Sequence, residues 1–193
     1  MTDVPRETCE RLAHFKTLVT EENSRQNLVS PSSLADFDAR HVEDGVQLAN
    51  LGKPGSWCDV GSGAGLPGIV VALVTGAPMT LIEPRKLRAD FLRRAVSELK
   101  LDAEVMEMKA ERVPHHYDNI TARAVAELSK LLTITEHLAQ RGTRWILPKG
   151  RSAQNELDRA QMSWQGAFTL VPSRTSEAAM IIVAEGVRRR GKR

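Results

Sequence analysis

The chain has 193 residues, of which 41% are hydrophobic and 26% are charged, and its formal net charge at pH 7 is +3. A chain of this length and composition buries a core as one globular domain, and its mild positive charge favours an anionic partner only weakly. Two cysteines far apart in the sequence and five histidines without metal-ligand spacing predict neither a disulfide framework nor a metal site. No apolar segment approaches the ~18 residues of a membrane span, and the N-terminus is polar, so we expect a soluble cytoplasmic protein.

The first fifty residues are predicted to be helical. Apolar residues between residues 4 and 23 recur at helical spacing, and the sequence around Pro31 breaks this pattern. Ser32 or Ser33 caps a second predicted helix, whose apolar face contains Phe37, Val42, Val46, Leu48 and Leu51. We interpret residues 1–54 as a helical extension that packs on the main domain.

After Gly55 the pattern alternates between strand and helix. Strands are predicted at Ser56–Val60, Thr80–Ile82, Glu104–Met106, Asn119–Ala122, Thr143–Leu147, Phe168–Val171 and Met180–Ala184. Helices are predicted at Pro67–Val74, Lys86–Leu99, Ser129–Leu138 and Ser152–Met162. Residues 55–187 therefore form a Rossmann-like α/β domain with a mostly parallel seven-stranded sheet, in which a closing hairpin places one antiparallel strand. A basic tail, residues 188–193, follows.

A glycine-rich stretch joins the first predicted strand to the first helix of this domain. It reads Asp59-Val60-Gly61-Ser62-Gly63-Ala64-Gly65-Leu66-Pro67-Gly68. Glycine lets the backbone approach a ligand closely, and proline is tolerated at the first helical position. We therefore expect a cradle for a nucleotide-like ligand, with backbone N–H groups facing outwards.

Two ligands fit this cradle. Gly63-x-Gly65-x-x-Gly68, with Glu83 twenty residues after Gly63, formally matches a dinucleotide fingerprint. Asp59, however, would oppose a pyrophosphate at the strand tip and would suit the positive sulfur of S-adenosylmethionine. Glu83 would then bind the ribose hydroxyls; the alternatives are that Glu83 is a solvated acid and that Asp59 caps the glycine turn.

The glycine stretch resembles the signature of the bacterial small-subunit ribosomal RNA guanine-N7 methyltransferases, the RsmG (GidB) family. The Leu-Pro-Gly continuation separates this signature from a generic methyltransferase loop. Further matches run along nearly the whole chain: Asn27-Leu28, Arg40-His41 with Asp44, Lys86 with Arg88, Phe91 and Leu92, Ala122-Arg123-Ala124, and Lys149-Gly150. Glu22 departs from a tryptophan common in the family, and Gly45-Val46 replaces Ser-Leu.

The resemblance implies a class I S-adenosylmethionine-dependent methyltransferase that modifies N7 of a specific guanine in 16S ribosomal RNA. Because N7 carries a free lone pair, in-line methyl transfer needs no general base, and we expect no catalytic residue beyond a possible contribution from Arg123. Arg123 ends the fourth strand, and an unpaired buried arginine is unfavourable, so it pairs with a carboxylate or meets an anionic ligand. With the residues singled out above, the predicted donor-binding set is Asp59, Gly61, Gly63, Gly65, Leu66, Glu83, Ala110, Glu111 and Arg123.

Basic residues near the glycine stretch are candidate phosphate contacts. The RNA major groove is too deep and narrow for a protein to read, so the target guanine should be in a loop or flipped out. The predicted RNA-binding residues are Arg85, Lys86, Arg88, Lys149 and Arg151, within a wider set that includes Arg93, Arg94 and the C-terminal arginines. His41 belongs either to the site or to the core.

The expected partner is small-subunit ribosomal RNA, a ribosomal subunit or an assembly intermediate, and we expect a monomer. Two other functions remain open from the residues alone. One is a methyltransferase for another substrate. The other is a non-catalytic RNA-binding or ribosome-assembly protein.

Overall fold

A seven-stranded sheet forms the centre of the computed structural model, which describes residues 4–191. Its strands are β1 Trp57–Val60, β2 Met79–Ile82, β3 Ala103–Met106, β4 Tyr117–Ala122, β5 Ala139–Lys149, β6 Trp164–Pro172 and β7 Met180–Arg189. The strand order is β3-β2-β1-β4-β5-β7-β6. Only β7 is antiparallel to its neighbours within this described part of the chain. The predicted fold class is confirmed.

Helices cover both faces of the sheet. They are α1 Arg6–Gln26, α2 Pro31–Ala35, a π-helix Asp38–Val42, α3 Glu43–Leu51, α4 Gly68–Thr75, α5 Lys86–Glu98, a 3-10 turn Ala110–Arg112, α6 Leu128–Thr135, a 3-10 turn Glu136–Leu138, and α7 Ala153–Ala160. None of the helices in residues 4–191 is long and apolar enough to cross a membrane.

Two predicted helices differ in detail. The helix predicted from Pro67 begins at Gly68, because the Gly68 N–H is bound by the Asp59 carboxylate at 3.1 Å and Pro67 only precedes it. The second N-terminal helix is divided into α2, the π-helix and α3. The division places Arg40 at the surface and His41 in the interior.

The hydrophobic core lies on both sides of the sheet. Consecutive strand residues alternate between the two sides: Trp57 contributes to one cluster and Cys58 to the other. The first cluster contains residues from α1, α3, α4 and α5, and the second contains residues from α6 and α7. The N-terminal helices therefore share a continuous core with the glycine-loop helix α4.

The last strand is longer than predicted. β7 runs to Arg189, so the proposed tail boundary at residue 187 lies within a strand. The Arg189 guanidinium lies over the Trp164 ring at 4.8 Å and pairs with Glu136 at 2.7 Å, which explains why this basic segment is ordered against the sheet. Lys192 and Arg193, also assigned to the tail, lie outside the described residues.

Glu22, one of the two departures from the family pattern, joins α1 to α5. Its carboxylate is almost buried and accepts a hydrogen bond from Arg94 at 2.8 Å. A buried charge is stable only when it is paired, so the acid at position 22 and the arginine at position 94 depend on each other. Arg94, one of the wider set of candidate RNA contacts, therefore already has a carboxylate partner.

Gly45, the other departure, permits close approach of α3 and α4. A Cβ atom at this position would lie 2.3 Å from Val70 Cγ1, so the two helices pack at this distance only with glycine at position 45.

We predict that Gly45→Ala destabilises the protein by about 1–3 kcal/mol through overpacking against Val70. In a Val70→Ala background the same change should be neutral or stabilising, because alanine is about 1 kcal/mol better than glycine within a helix. Urea unfolding of the two single variants and the double variant measures this coupling. A Gly45→Ala variant at least as stable as wild type would contradict the packing argument.

Candidate active site

The glycine loop follows β1 and directs most of its N–H groups into the protein. Gly61, Gly63 and Gly65 have φ values of +69°, +55° and +79°, in the region that favours glycine. Their N–H groups donate to Ile82 O, the Glu83 carboxylate and Ser62 O respectively. The expectation that these N–H groups face outwards is wrong, because the loop uses them to hold its own shape. A pyrophosphate would therefore not find the row of free donors that it needs.

Asp59 is a buried carboxylate at the end of β1. Its side chain is 1% exposed, and Oδ2 accepts the Gly68 N–H at 3.1 Å while Oδ1 has no hydrogen-bond partner among the described residues. Burial raises the pKa of Asp59 from 3.8 to about 7. The predicted capping role is present, and the second oxygen remains for a cationic or hydrogen-bond-donating group.

Glu83 ends β2 and holds two loops. Its Oε2 accepts the Gly63 N–H and its Oε1 accepts the Arg85 N–H, both at 2.9 Å, and the residue is 3% exposed. The alternative that Glu83 is a solvated acid is wrong. Each carboxylate oxygen retains a further lone pair, which suits the predicted contact with ribose hydroxyls.

The other predicted donor-site residues lie at the same edge of the sheet. Ala110 is buried and Glu111 exposed in the 3-10 turn after β3, and the Ala110 carbonyl lies 3.1 Å from His137 Nε2. Leu66 is 5% exposed and packs into the core, so only its backbone can face a ligand. Sequence reasoning missed His137, because nothing in its local pattern indicates this long-range contact.

Arg123, at the end of β4, contacts the N-terminal segment. Its Nη1 lies 2.9 Å from His41 Nδ1 and 3.6 Å from Asp44 Oδ2. The predicted carboxylate partner is thus supplied by the chain itself. His41 is 6% exposed, and burial together with the nearby Arg123 charge lowers its pKa to about 4. His41 is therefore buried, as a core residue would be, and it also contacts a predicted site residue.

A cavity of about 620 Å³ adjoins the glycine loop. Four segments and Glu156 of α7 form its walls: Arg40 and Asp44 from the π-helix and α3, residues 123–127 after β4, residues 148–150 around the end of β5, and the turn between β6 and β7 with the start of β7. The Asp44 carboxylate also accepts a hydrogen bond from the Thr175 hydroxyl of that turn. Val125 Cγ2 would lie 2.7 Å from a Cβ on Gly61, which shows that the cavity wall touches the loop. Sequence reasoning missed Val125 and Thr175, because both residue types are common in ordinary packing.

The predicted RNA-binding residues differ in their surroundings. Arg85, Lys86 and Arg151 are exposed, and Arg88 Nη1 lies 3.5 Å from where a Cβ on Gly63 would be, over the glycine loop. Lys149 lines the cavity instead. Its side chain is only 10% exposed, because Nζ donates to Ala126 O and pairs with Glu156 at 2.9 Å.

Comparison with known proteins decides the family. A family model described as rRNA small subunit methyltransferase G matches residues 8–177. The chain belongs to this family. A relative from Rhizorhabdus wittichii named ribosomal RNA small subunit methyltransferase G is 43% identical over 98% of this chain and 90% of its own length. One of the same name from Gluconobacter oxydans is 40% identical over 98% of this chain and 99% of its own.

Solved structures support the fold. An S-adenosylmethionine-dependent methyltransferase from Aquifex aeolicus superposes with a TM-score of 0.61 at 16% identity, covering 88% of this chain and 97% of its own. Family membership confirms the resemblance and the predicted enzyme class, a methyltransferase, and with it the predicted methyl donor, S-adenosylmethionine. The dinucleotide interpretation is wrong.

We predict that the free energy of unfolding of Asp59→Asn relative to wild type rises by about 2 kcal/mol between pH 5 and pH 8. Because the folded pKa of Asp59 is about 7 and the ordinary value is 3.8, the native state holds an extra proton between these values. The contribution of Asp59 to stability is therefore largest below about pH 4 and is lost as the pH rises to 7. Asparagine keeps an acceptor for Gly68 without the charge.

The contribution of His41 to stability changes with pH in the opposite direction to that of Asp59. Its folded pKa of about 4 lies below 6.5, so its contribution is present above pH 6.5 and is lost as the pH falls towards 4. The free energy of unfolding of Asp59→Asn should therefore increase from pH 4 to 6.5. In wild type the contribution of Asp59 falls over this range while that of His41 rises, so the two pH dependences oppose each other. Urea unfolding of the ligand-free proteins across pH 4–8 measures both slopes, and parallel pH profiles for the two proteins would contradict the assignment.

Proposed function

We propose that this protein transfers the methyl group of S-adenosylmethionine to N7 of a specific guanine in small-subunit (16S) ribosomal RNA by direct in-line displacement. The observation that carries the proposal is the contact between the glycine loop and the cavity wall at Val125. This contact brings a donor site and a space large enough for a base next to each other. The names of the relatives and the resemblance support ribosomal RNA as the substrate.

The donor site suits a cation without phosphate. Asp59 and Glu83 are buried carboxylates on either side of a loop whose glycine N–H groups are already used. S-adenosylmethionine supplies, when bound, an electrophilic methyl group on a positively charged sulfur. We propose that the donor is held by Asp59, Gly61, Gly63, Gly65, the Leu66 backbone, Glu83, Ala110 and Glu111, and that Arg123, the ninth residue of the predicted set, faces the adjoining cavity instead.

The residues of the site would act by alignment and by exclusion of water. Neutral guanine has a lone pair at N7, so no side chain has to remove a proton before the transfer. Prior positioning of the two reactants can contribute ~7–11 kcal/mol to lowering the barrier. The purine becomes positively charged, and Asp44 beside Arg123 offsets the arginine's charge at the cavity wall.

The target base has to leave its stack to enter the cavity. Arg88 lies over the glycine loop, and Arg85 and Lys86 precede it on the same exposed turn. We propose that these three residues and Arg151 bind phosphates of the flanking RNA. Lys149 instead fixes the loop after β4 through Ala126 and Glu156. We further propose that the protein acts as a cytoplasmic monomer on ribosomal RNA, a subunit or an assembly intermediate.

The deciding experiment uses Glu83→Ala, with Glu21→Ala on the exposed face of α1 as the matched control. Calorimetry should show donor affinity reduced at least tenfold in Glu83→Ala, because Glu83 holds Gly63 and meets the ribose, while NAD binds neither wild type nor variant. In cells lacking the gene, wild type and Glu21→Ala should restore N7-methylguanine in small-subunit ribosomal RNA, and Glu83→Ala should not.

If the map of N7-methylguanine in small-subunit ribosomal RNA is identical with and without the gene, the proposed substrate is wrong and only the proposed methyl donor stands. Binding of NAD to wild type with the same affinity as S-adenosylmethionine would overturn the donor assignment.

A second prediction concerns salt. Binding of single-stranded ribosomal RNA fragments should weaken linearly in log affinity against log salt, and Arg85→Ala/Arg88→Ala should reduce the slope by roughly 0.7 for each lost phosphate contact. Arg93→Ala is the control on the same helix, because Asp90 and Glu107 already pair with Arg93 at 2.8 and 2.9 Å. A slope equal to that of wild type in the double variant would remove these residues from the interface.

A further inference from the structure

His41 contacts Arg123, one of the residues that line the cavity. The 2.9 Å contact joins Arg123 Nη1 to His41 Nδ1, and the other ring nitrogen, Nε2, hydrogen-bonds to the hydroxyl of Ser33. Phe37 packs edge-on against the imidazole ring, with 5.2 Å between ring centroids. The ring is thus fixed on three sides by α2, the π-helix and the end of β4.

The chemistry of the two partners decides the tautomer. A guanidinium only donates hydrogen bonds, so His41 Nδ1 has to present its lone pair to Arg123. The neutral ring then carries its proton on Nε2 and donates it to Ser33 Oγ. Burial and the neighbouring Arg123 and Arg40 charges keep the ring neutral at physiological pH, since they lower its pKa to about 4.

The contact leaves donors of Arg123 for a ligand. Among the described residues, the hydrogen bond and the ion pair of Arg123 both use Nη1, and the residue lines the cavity with its side chain 25% exposed. A guanidinium has five N–H donors in a fixed plane, so orienting Nη1 also orients the rest. In a guanine whose N7 lone pair attacks the donor, O6 is the neighbouring acceptor on the same edge.

We infer that His41 is a positioning residue that holds Arg123 against O6 of the target guanine. The inference rests on the proposed function, since it assumes that a guanine occupies the cavity. The π-helix positions His41 for this contact: it turns His41 inwards, while the adjacent Arg40 lies at the cavity rim. Short π-helical segments are frequent at functional sites.

The test compares His41→Ala with His41→Asn, whose amide oxygen replaces Nδ1 as acceptor, and uses His14→Ala on α1 as a matched control. On a ribosomal RNA fragment that contains the target, His41→Ala should lower kcat about tenfold and raise KM for RNA several-fold, because the O6 contact also contributes to binding, with less than twofold change in Kd for S-adenosylmethionine. His41→Asn should restore kcat to within threefold of wild type, and His14→Ala should not change it.

A binding measurement separates this inference from the proposed function. Titration with GMP and with 2-aminopurine ribonucleotide, which lacks O6, should show that His41→Ala weakens GMP several-fold and leaves the analogue unchanged. The wild-type protein could show a His41-dependent preference for GMP over the analogue but no methyltransferase activity. That result would support the inference and overturn the proposed function.

Wild-type kcat in His41→Ala would overturn the inference while leaving the proposed function intact. Equal losses in the alanine and asparagine variants, accompanied by a lower melting temperature, would show that His41 has a structural role only.

Discussion

The structure depends on a buried carboxylate at the end of β1. Asp59 lies where the first strand becomes the glycine loop, and its hydrogen bond to the Gly68 N–H fixes the start of α4. Gly68 has to be glycine, because a Cβ would lie 2.6 Å from Asp59 Oδ2. The unpartnered second oxygen disfavours the charged form in the ligand-free protein. A cationic or hydrogen-bond-donating partner at this oxygen would relieve that unfavourable interaction.

The N-terminal helices belong to the site as well as to the core. Asp44 on α3 contacts Arg123 from β4 and Thr175 from the turn between β6 and β7, so one carboxylate connects three separate segments around the cavity. Gly45, next to it, allows α3 to lie directly against α4. Close packing of α3 on α4 therefore links the Asp44 side of the cavity to the glycine loop. The division of the chain at residue 54 does not separate two functions.

Much of the site could be predicted from local sequence. The order of strands and helices follows from hydrophobic periodicity, and the position of Asp59 before the first glycine indicated a cationic donor rather than a pyrophosphate. Arg85, Lys86 and Arg151, which the sequence predicts as RNA contacts, are exposed, as such a contact requires. Lys149 differs, because its partner Glu156 comes from α7 and its burial depends on how that helix packs. The direction of the glycine N–H groups also depends on distant acceptors, Ile82 O and the Glu83 carboxylate.

Residue types at fixed short spacings are enough to predict the fold class, the position of the glycine loop and the family. The packed structure was needed to show that Glu83 is buried and holds the loop, that Arg123 meets His41 and Asp44, and that a cavity lies beside Gly61. Each of these features joins residues that are far apart along the chain. Their distances are set by the packing of whole helices on the sheet, which no local pattern encodes.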